Sequence, residues 1–430
     1  MTDFATLGLA APIVEALAAK NYATPTPIQV QAIPPVLAGH DLLGIAQTGT
    51  GKTAAFAAPI LHRLSRNPGP VPRKSTRVLV LAPTRELADQ IAVSFRTYGQ
   101  FLKLTVITVF GGVPINRHIR QMERGTDVMV ATPGRLIDLI DRRAMNLDHV
   151  EVLVLDEADQ MLDLGFIHAL RRIVPLLPRK RQTLFFSATM PSAIAELASK
   201  YLTDPAQVAV TPAATTVERV DQVATFVAQG DKPALLARAL REEDVTRALV
   251  FTRAKHGADR VVKKLAEDGI DAAAIHGNKS QPQREKALSA FRAGRCKVLV
   301  ATDIAARGVD VPGVSHVFNF EIPNVAEQYV HRIGRTARAG AAGLAISFVA
   351  NDERPFLRDI EKLTRQKLTI VPLPEGFTPQ PAGAASAEPA ARPAQHRRGG
   401  GGQPSKPAGR PASAAPNRRR RSGGGRGASA

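Results

Sequence analysis

Eight consecutive residues, Ala46-Gln47-Thr48-Gly49-Thr50-Gly51-Lys52-Thr53, have the types and spacing to hold a phosphate chain. The glycines let the backbone curl so that successive N–H groups point at phosphate oxygens. A helix opening at the end of the run adds the positive end of its dipole. Lys52 would reach the β- and γ-phosphates, and the Thr53 hydroxyl would ligate Mg²⁺. The strict pattern opens on glycine, and here Ala46 takes that place. A second candidate, Asp156-Glu157-Ala158-Asp159, directly follows the apolar run Val152-Leu-Val-Leu155. A carboxylate at the C-terminal end of a buried strand can hold Mg²⁺ directly or through water, which is the place of Asp156. Glu157, next along, is placed to orient and deprotonate an attacking water. Alone, such a quartet is an ordinary solvated acidic turn. Behind a buried strand and downstream of a phosphate loop, it reads as the other half of a triphosphate-hydrolysing centre.

These groups need rigid strand ends to stand on, and the chain supplies them. Short, continuous apolar runs at 41–45, 78–82, 128–131, 152–155 and 183–186 alternate with amphipathic stretches at 86–101, 115–124 and 191–201. Unbroken apolar runs are what strands look like when both faces of a parallel sheet are covered. The rhythm returns with strands expected at 247–252, 297–301, 316–320 and 343–349 and helices at 254–268, 281–293 and 325–336. The fold class is therefore α/β, two tandem doubly wound parallel-sheet domains. The expected layout is a first domain over 1–208, a linker over 209–219, a second domain over 220–372 and a disordered basic tail over 373–430. The tail is Ala, Pro, Gly, Ser and Arg with one aromatic, Phe377, too little apolar surface to offset chain entropy.

The chain of 430 residues carries 57 Lys and Arg against 38 Asp and Glu, a net charge of +19. From residue 375 onward there are ten basic and two acidic residues, leaving +11 on the part expected to fold. Excess positive charge on folded domains as well as on a tail points to a polyanionic partner. On a flexible tether, the tail's cations would raise the concentration of that partner near the core. A single cysteine, Cys296, excludes an intramolecular disulfide. No apolar run approaches the roughly 20 residues that span a bilayer, and nothing at the N-terminus reads as a secretion signal. A cytoplasmic protein without a membrane partner is expected.

With both nucleotide motifs in place, the chain resembles the DEAD-box RNA helicases over about residues 4–365. Asn21-Tyr-Ala-Thr-Pro-Thr-Pro-Ile-Gln29 resembles the family's Q motif, with an upstream aromatic at Phe4. Pro83-Thr-Arg-Glu-Leu87, Gly111-Gly112 and Thr132-Pro-Gly-Arg135 resemble its first-domain RNA motifs, and Ser187-Ala-Thr189 its coupling motif. Val250-Phe-Thr-Arg253, Gln281-Pro-Gln-Arg284, Ala301-Thr-Asp-Ile-Ala-Ala-Arg-Gly-Val-Asp310 and His331-Arg-Ile-Gly-Arg-Thr-Ala-Arg338 follow in the family's order. Phe251-Thr-Arg-Ala-Lys-His256 and His276-Gly-Asn-Lys-Ser280 are similar to the bacterial RhlE-type subgroup. Two positions depart from the pattern: Asn21 and Ala337 each replace a usual glycine.

The resemblance implies two RecA-like domains, ATP with Mg²⁺ as the nucleotide, RNA as the partner, and roles for individual residues. The Gln29 amide has a donor and an acceptor that match the adenine edge and not that of guanine. Tyr22 or Phe4 would stack on the base. Asp310 would contact the ribose. Arg335 and Arg338, three residues apart in a segment read as helical, would share a face toward the γ-phosphate. Asp159, Ser187, Thr189 and His331 would couple nucleotide state to RNA grip. The RNA surface would comprise Arg85, Gly112, Thr132, Arg135, Gln281, Arg284, Thr302 and Arg307. With no tryptophan and 5% aromatics, backbone contacts rather than base stacking would carry RNA affinity, and they read no sequence. ATP and single-stranded RNA would draw the two domains together, opening a few base pairs of a duplex. Two rivals stand beside this: a DNA translocase of the same architecture, and an RNA clamp that binds without turnover.

Overall fold

The apolar runs form strands because helices cover both faces of each sheet; Thr76–Leu81 and Val152–Leu155 are buried along their whole length. A computed structural model describes residues 3–47, 49–210, 220–241, 245–306, 311, 313–337 and 343–378. The first sheet contains β1 Leu42–Ile45, β2 Thr76–Leu81, β3 Val106–Val109, β4 Thr126–Ala131, β5 Val152–Leu155, β6 Gln182–Ser187 and β7 Ala206–Ala209. The second contains β8 Val220–Phe226, β9 Ala248–Thr252, β10 Ala272–Ile275, β11 Val298–Thr302, β12 His316–Asn319, β13 Gly343–Val349 and β14 Thr369–Ile370.

All pairings are parallel, and the spatial orders are β3-β4-β2-β5-β6-β1-β7 and β10-β11-β9-β12-β13-β8-β14. The second order repeats the first strand for strand, with β8 in the place of β1 and β12 in the place of β5. In the first lobe, β6 lies between the strand that ends in the phosphate loop and the strand that ends in the acidic quartet. Ser187-Ala188-Thr189, at the end of β6, is thereby set between those two segments. Arg85, Gly112 and Thr132 follow instead the ends of β2, β3 and β4 on the far half of the same sheet.

Three expectations change. The helix expected over 325–336 spans Ala326–Ile333, with Gly334 at its C-cap and tighter turns beyond it, where Arg335 N donates to Arg332 O at 3.1 Å. Arg335 therefore lies beyond the helix, and the shared-face argument for it does not apply. The tail does not begin at 373: Leu373 and Phe377 are half-buried against the second lobe's core, so the tail's one aromatic is used in packing. The expectations for 211–219 and for 379–430 concern segments outside the described residues. Among the described residues, no helix is long and apolar enough to cross a membrane.

Candidate nucleotide and RNA sites

The phosphate loop leaves β1 with its first peptide still in the sheet, where Ala46 N donates to Ser187 O at 3.0 Å. Ala46 needs no left-handed backbone, so alanine is tolerated there. Gly49 (φ 85°) and Gly51 (φ 96°) do need it. A side chain at Gly51 would also come within 2.5 Å of Gln29 Nε2 and 2.9 Å of Thr26 Oγ1. Gly51 precedes the helix Lys52–Arg66, whose open N-terminus faces the loop. Thr50 Oγ1 closes the turn on Gln47 O at 2.8 Å.

The Q-motif glutamine is buried against this loop. Gln29 Oε1 accepts from Thr26 N at 2.8 Å, and Nε2 donates to Gly51 O at 3.1 Å. One lone pair and one N–H of the amide remain for an adenine edge. Tyr22 is 45% exposed, whereas Phe4 is 3% exposed and belongs to the hydrophobic core.

Lys52 is buried, and its Nζ has no hydrogen-bond partner among the described residues. Asp156 and Glu157 are each 2% exposed. Burial pushes the Asp156 carboxyl up, opposed by the Lys52 ammonium. The Glu157 carboxyl is raised to about 7, also by burial first, with Asp156 adding to the rise and Lys52 and Arg335 opposing it. Glu157 also holds a left-handed backbone, φ 54°, at a cost of about 1–2 kcal/mol for a residue with a Cβ. Strain of this kind concentrates where a side chain must be aimed. Among the described residues, no three His, Cys, Asp or Glu side chains converge to hold a metal. A divalent cation beside Thr53 and Asp156 would thus take most of its ligands from phosphate and water, as Mg²⁺ does.

Asp159 faces the β6 end. Its Oδ2 accepts from Ala188 N at 3.1 Å, Thr189 N at 3.0 Å and Thr189 Oγ1 at 3.0 Å. Ser187 Oγ instead donates to Thr189 O at 2.7 Å, so serine shapes the turn that presents threonine.

Across the cleft, the helix Ala326–Ile333 brings up His331 and Arg335. A cavity of about 190 Å³ is lined by Gln47, Ala188 and Thr189 from one lobe and by Val330, His331 and Arg335 among others from the second. Arg335 Nε donates back to His331 O at 3.3 Å. The neighbouring Arg332, which sequence reasoning passed over, is 1% exposed. It forks onto Asp303 at 2.5 and 2.7 Å and lies over the Phe251 ring at 5.0 Å. Such an arginine is spent inside its own lobe. Thr48, Arg307, Asp310 and Arg338 lie outside the described residues.

The two departures from the glycine pattern, Asn21 (φ 60°) and Ala337 (φ 52°), both have left-handed backbones. Asparagine accepts this conformation readily and alanine does not. Ala337→Gly is therefore expected to stabilise the second lobe by about 0.5–1 kcal/mol, after glycine's extra chain entropy is subtracted. Asn21→Gly should change little. Denaturant midpoints of the two variants against the parent check this, and a lower midpoint for Ala337→Gly would contradict it.

Among the RNA candidates, Arg85, Gly112 and Arg135 gather at one end of the first lobe. A Cβ on Gly112 (φ 89°) would fall 2.0 Å from Arg85 Nη1, so the glycine makes room for the guanidinium. Arg135 Nη1 donates to Val113 O at 2.9 Å and contacts His118 Nδ1 at 3.1 Å. Burial and the neighbouring Arg135 and Arg117 hold the His118 imidazole down at about 4, so at neutral pH it is uncharged and can accept from that arginine. Thr132 and Thr302 are buried at the strand ends they follow or close. Gln281 and Arg284, also expected on the RNA surface, are engaged between the lobes. Arg284 Nε and Nη2 donate to Glu86 Oε1 at 2.9 and 2.6 Å, and Gln281 Oε1 accepts from Arg85 Nη1 at 3.3 Å. Glu86 and His118 were not singled out in the sequence, where neither residue advertises its partner.

The profile of the DEAD/DEAH box helicase family matches residues 26–197, and that of the helicase conserved C-terminal domain matches residues 231–340. The chain is 45% identical over 374 residues to the RNA helicase CrhR of Synechocystis, covering 87% of this chain and 75% of CrhR. It is 44% identical to the ATP-dependent RNA helicase DeaD of Mycobacterium tuberculosis, covering 86% of this chain and 65% of that protein. The structure of S. cerevisiae Dbp5 bound to RNA and ADP BeF3 aligns with a TM-score of 0.77 at 33% identity, over 87% of this chain and 96% of Dbp5. Two helicase-domain matches in the expected order and a 45% identical relative covered to 75% show that the chain belongs to the DEAD-box RNA helicase family.

Proposed function

We propose that the chain is an ATP-dependent RNA helicase that completes its hydrolytic centre only when its two lobes meet, and that it opens short RNA duplexes locally without reading sequence. The observation that carries this reading is a single cavity lined from both lobes, in which Arg335 and His331 of the second face Gln47 and Thr189 of the first. Lys52 and the loop amides would bind the triphosphate, with Gln29 at the adenine edge and Tyr22 as the exposed ring against it. Mg²⁺, bound beside Thr53 and Asp156, would neutralise phosphate charge. Glu157 would take the proton of the attacking water, and Arg335, with Arg338, would stabilise charge developing on the γ-phosphate.

The RNA backbone would run over Arg85, Gly112, Thr132 and Arg135 and on to Thr302 and Arg307. Thr189 bonded to Asp159 would carry the nucleotide state toward that surface. ATP acts here through its differential affinity for the closed pair of lobes. Phe251-Thr-Arg-Ala-Lys-His256 and His276-Gly-Asn-Lys-Ser280 support the RhlE-type subgroup, and the free thiol of Cys296 suits a reducing cytoplasm.

The test compares ATPase stimulation by single-stranded RNA and by DNA of the same sequence, alongside strand separation of a short RNA duplex. RNA is expected to stimulate turnover at least tenfold more than DNA, with separation dependent on ATP. Equal stimulation by DNA would overturn the RNA assignment, and binding without turnover would favour a clamp.

A further inference from the structure

Lys232 opens the helix Lys232–Ala239 after β8, as Lys52 opens its helix after β1, and β8 holds in the second sheet the place that β1 holds in the first. The connection between β8 and Lys232 has one glycine, Gly230, outside the left-handed region, so it forms no phosphate cradle. Phe320 follows β12 directly, as Asp156 follows β5. Lys232 Nζ donates to Phe320 O at 2.9 Å and to Glu353 Oε2 at 2.5 Å, and both ion-pair side chains are fully buried. Where the first lobe's lysine has no protein partner among the described residues, the second lobe's lysine holds a carboxylate that is part of the chain. An internal anion stands in for the exchangeable one.

A buried ion pair costs several kcal/mol per ion in desolvation and is weak evidence for stability, so its geometric consequence is the better guide. The second oxygen, Glu353 Oε1, accepts from Arg253 Nη2 at 3.1 Å, and Arg253 Nη1 donates to Asn324 Oδ1 at 2.9 Å. The Arg253 backbone N–H is held by Glu321 Oε2 at 2.6 Å. Asn324 lies two residues before the helix Ala326–Ile333, and Arg335 lies two residues beyond it. Near its far end that helix is fixed by Arg332 on Asp303. The chain Lys232–Glu353–Arg253–Asn324 fixes its near end, and two anchors define the helix's direction.

We propose that Lys232 and Glu353 are positioning residues for ATP hydrolysis, acting through Arg253 and Asn324 to aim the helix that presents Arg335 across the cleft. The inference rests on the reading of Arg335 as the residue that meets the γ-phosphate. Misplacing a charge-stabilising group by about 1 Å can cost up to about a hundredfold in rate.

The experiment measures RNA-stimulated kcat and KM for ATP in the full chain, with melting curves, for four variants. Asn324→Ala, at an exposed position, is expected to melt like the parent and to lower kcat about tenfold with KM within about twofold. Asn324→Asp keeps an acceptor for Arg253 and should restore kcat. The charge-free double variant Lys232→Met/Glu353→Leu should remain folded and yet have a low kcat, because Arg253 has lost its anchor. Arg335→Lys serves as the reference. Native kcat in Asn324→Ala, or in a folded double variant, would overturn the positioning role, as would a loss in which KM rises in step. If Arg335→Lys alone turned over at the native rate, the γ-phosphate reading itself would fail. Should the double variant not fold, Glu353→Gln, which keeps the side chain's size, takes its place: a folded protein with lowered kcat and unchanged KM is expected, and native kcat there would overturn the role.

Discussion

Replacing Glu157 by glutamine is expected to lower RNA-stimulated ATP turnover by about a thousandfold while leaving ATP binding intact, a loss within the usual range for a general base. The substitution keeps the side chain's size and removes its charge together with its ability to accept a proton. ATP should then hold the lobes together on RNA, because the step that releases them is blocked. The pH dependence gives a second readout. Burial raises the Glu157 carboxyl to about 7, and the base is competent only when ionised. In the parent, kcat/KM for ATP should therefore fall as pH drops through about 7 and level off above it. The glutamine variant should lack that inflection. Native turnover in Glu157→Gln, measured by phosphate release at saturating RNA, would remove Glu157 from the role of base.

The nucleotide half of this centre was legible because its signals are local. Glycines at 49 and 51 are required by positive φ at those positions, and the acidic quartet follows a strand buried along its whole length. The central strands were legible for the same reason, being unbroken apolar runs, except β8, whose run Val220-Asp-Gln-Val-Ala-Thr-Phe226 is broken by polar residues and was not expected. Edge strands were not. β3 and β10 are only partly buried, and Ala272-Ala-Ala-Ile275 carries no β-branched run to mark it. β7, half exposed, reads as polar loop.

What a sequence hides most is the partner of a charge. Arg284 looks available for phosphate until Glu86, 198 residues away, is found against it. Lys232 looks like one more solvated lysine and is instead the fully buried cation of an ion pair with Glu353. The glycine departures show the converse. Asn21 and Ala337 look like small losses of pattern, and the backbone angles turn them into specific statements about which residue tolerates the turn.

The central claim is that neither lobe alone holds a complete hydrolytic centre. Arg335, 5% exposed, lines the cleft from the second lobe opposite Gln47 and Thr189 of the first. An arginine that meets charge developing on a transferred phosphoryl group contributes about 10³–10⁵ in kcat. Its removal takes no residue from the phosphate loop, the acidic quartet or the Gln29 contacts, all of which belong to the first lobe. The most direct test is therefore RNA-stimulated kcat of Arg335→Ala in the full chain at saturating ATP and RNA, with ATP affinity measured in parallel. The shared centre predicts a fall of about a thousandfold or more, with ATP affinity changed only severalfold. A variant that turns over ATP at the parent's rate under those conditions would contradict it.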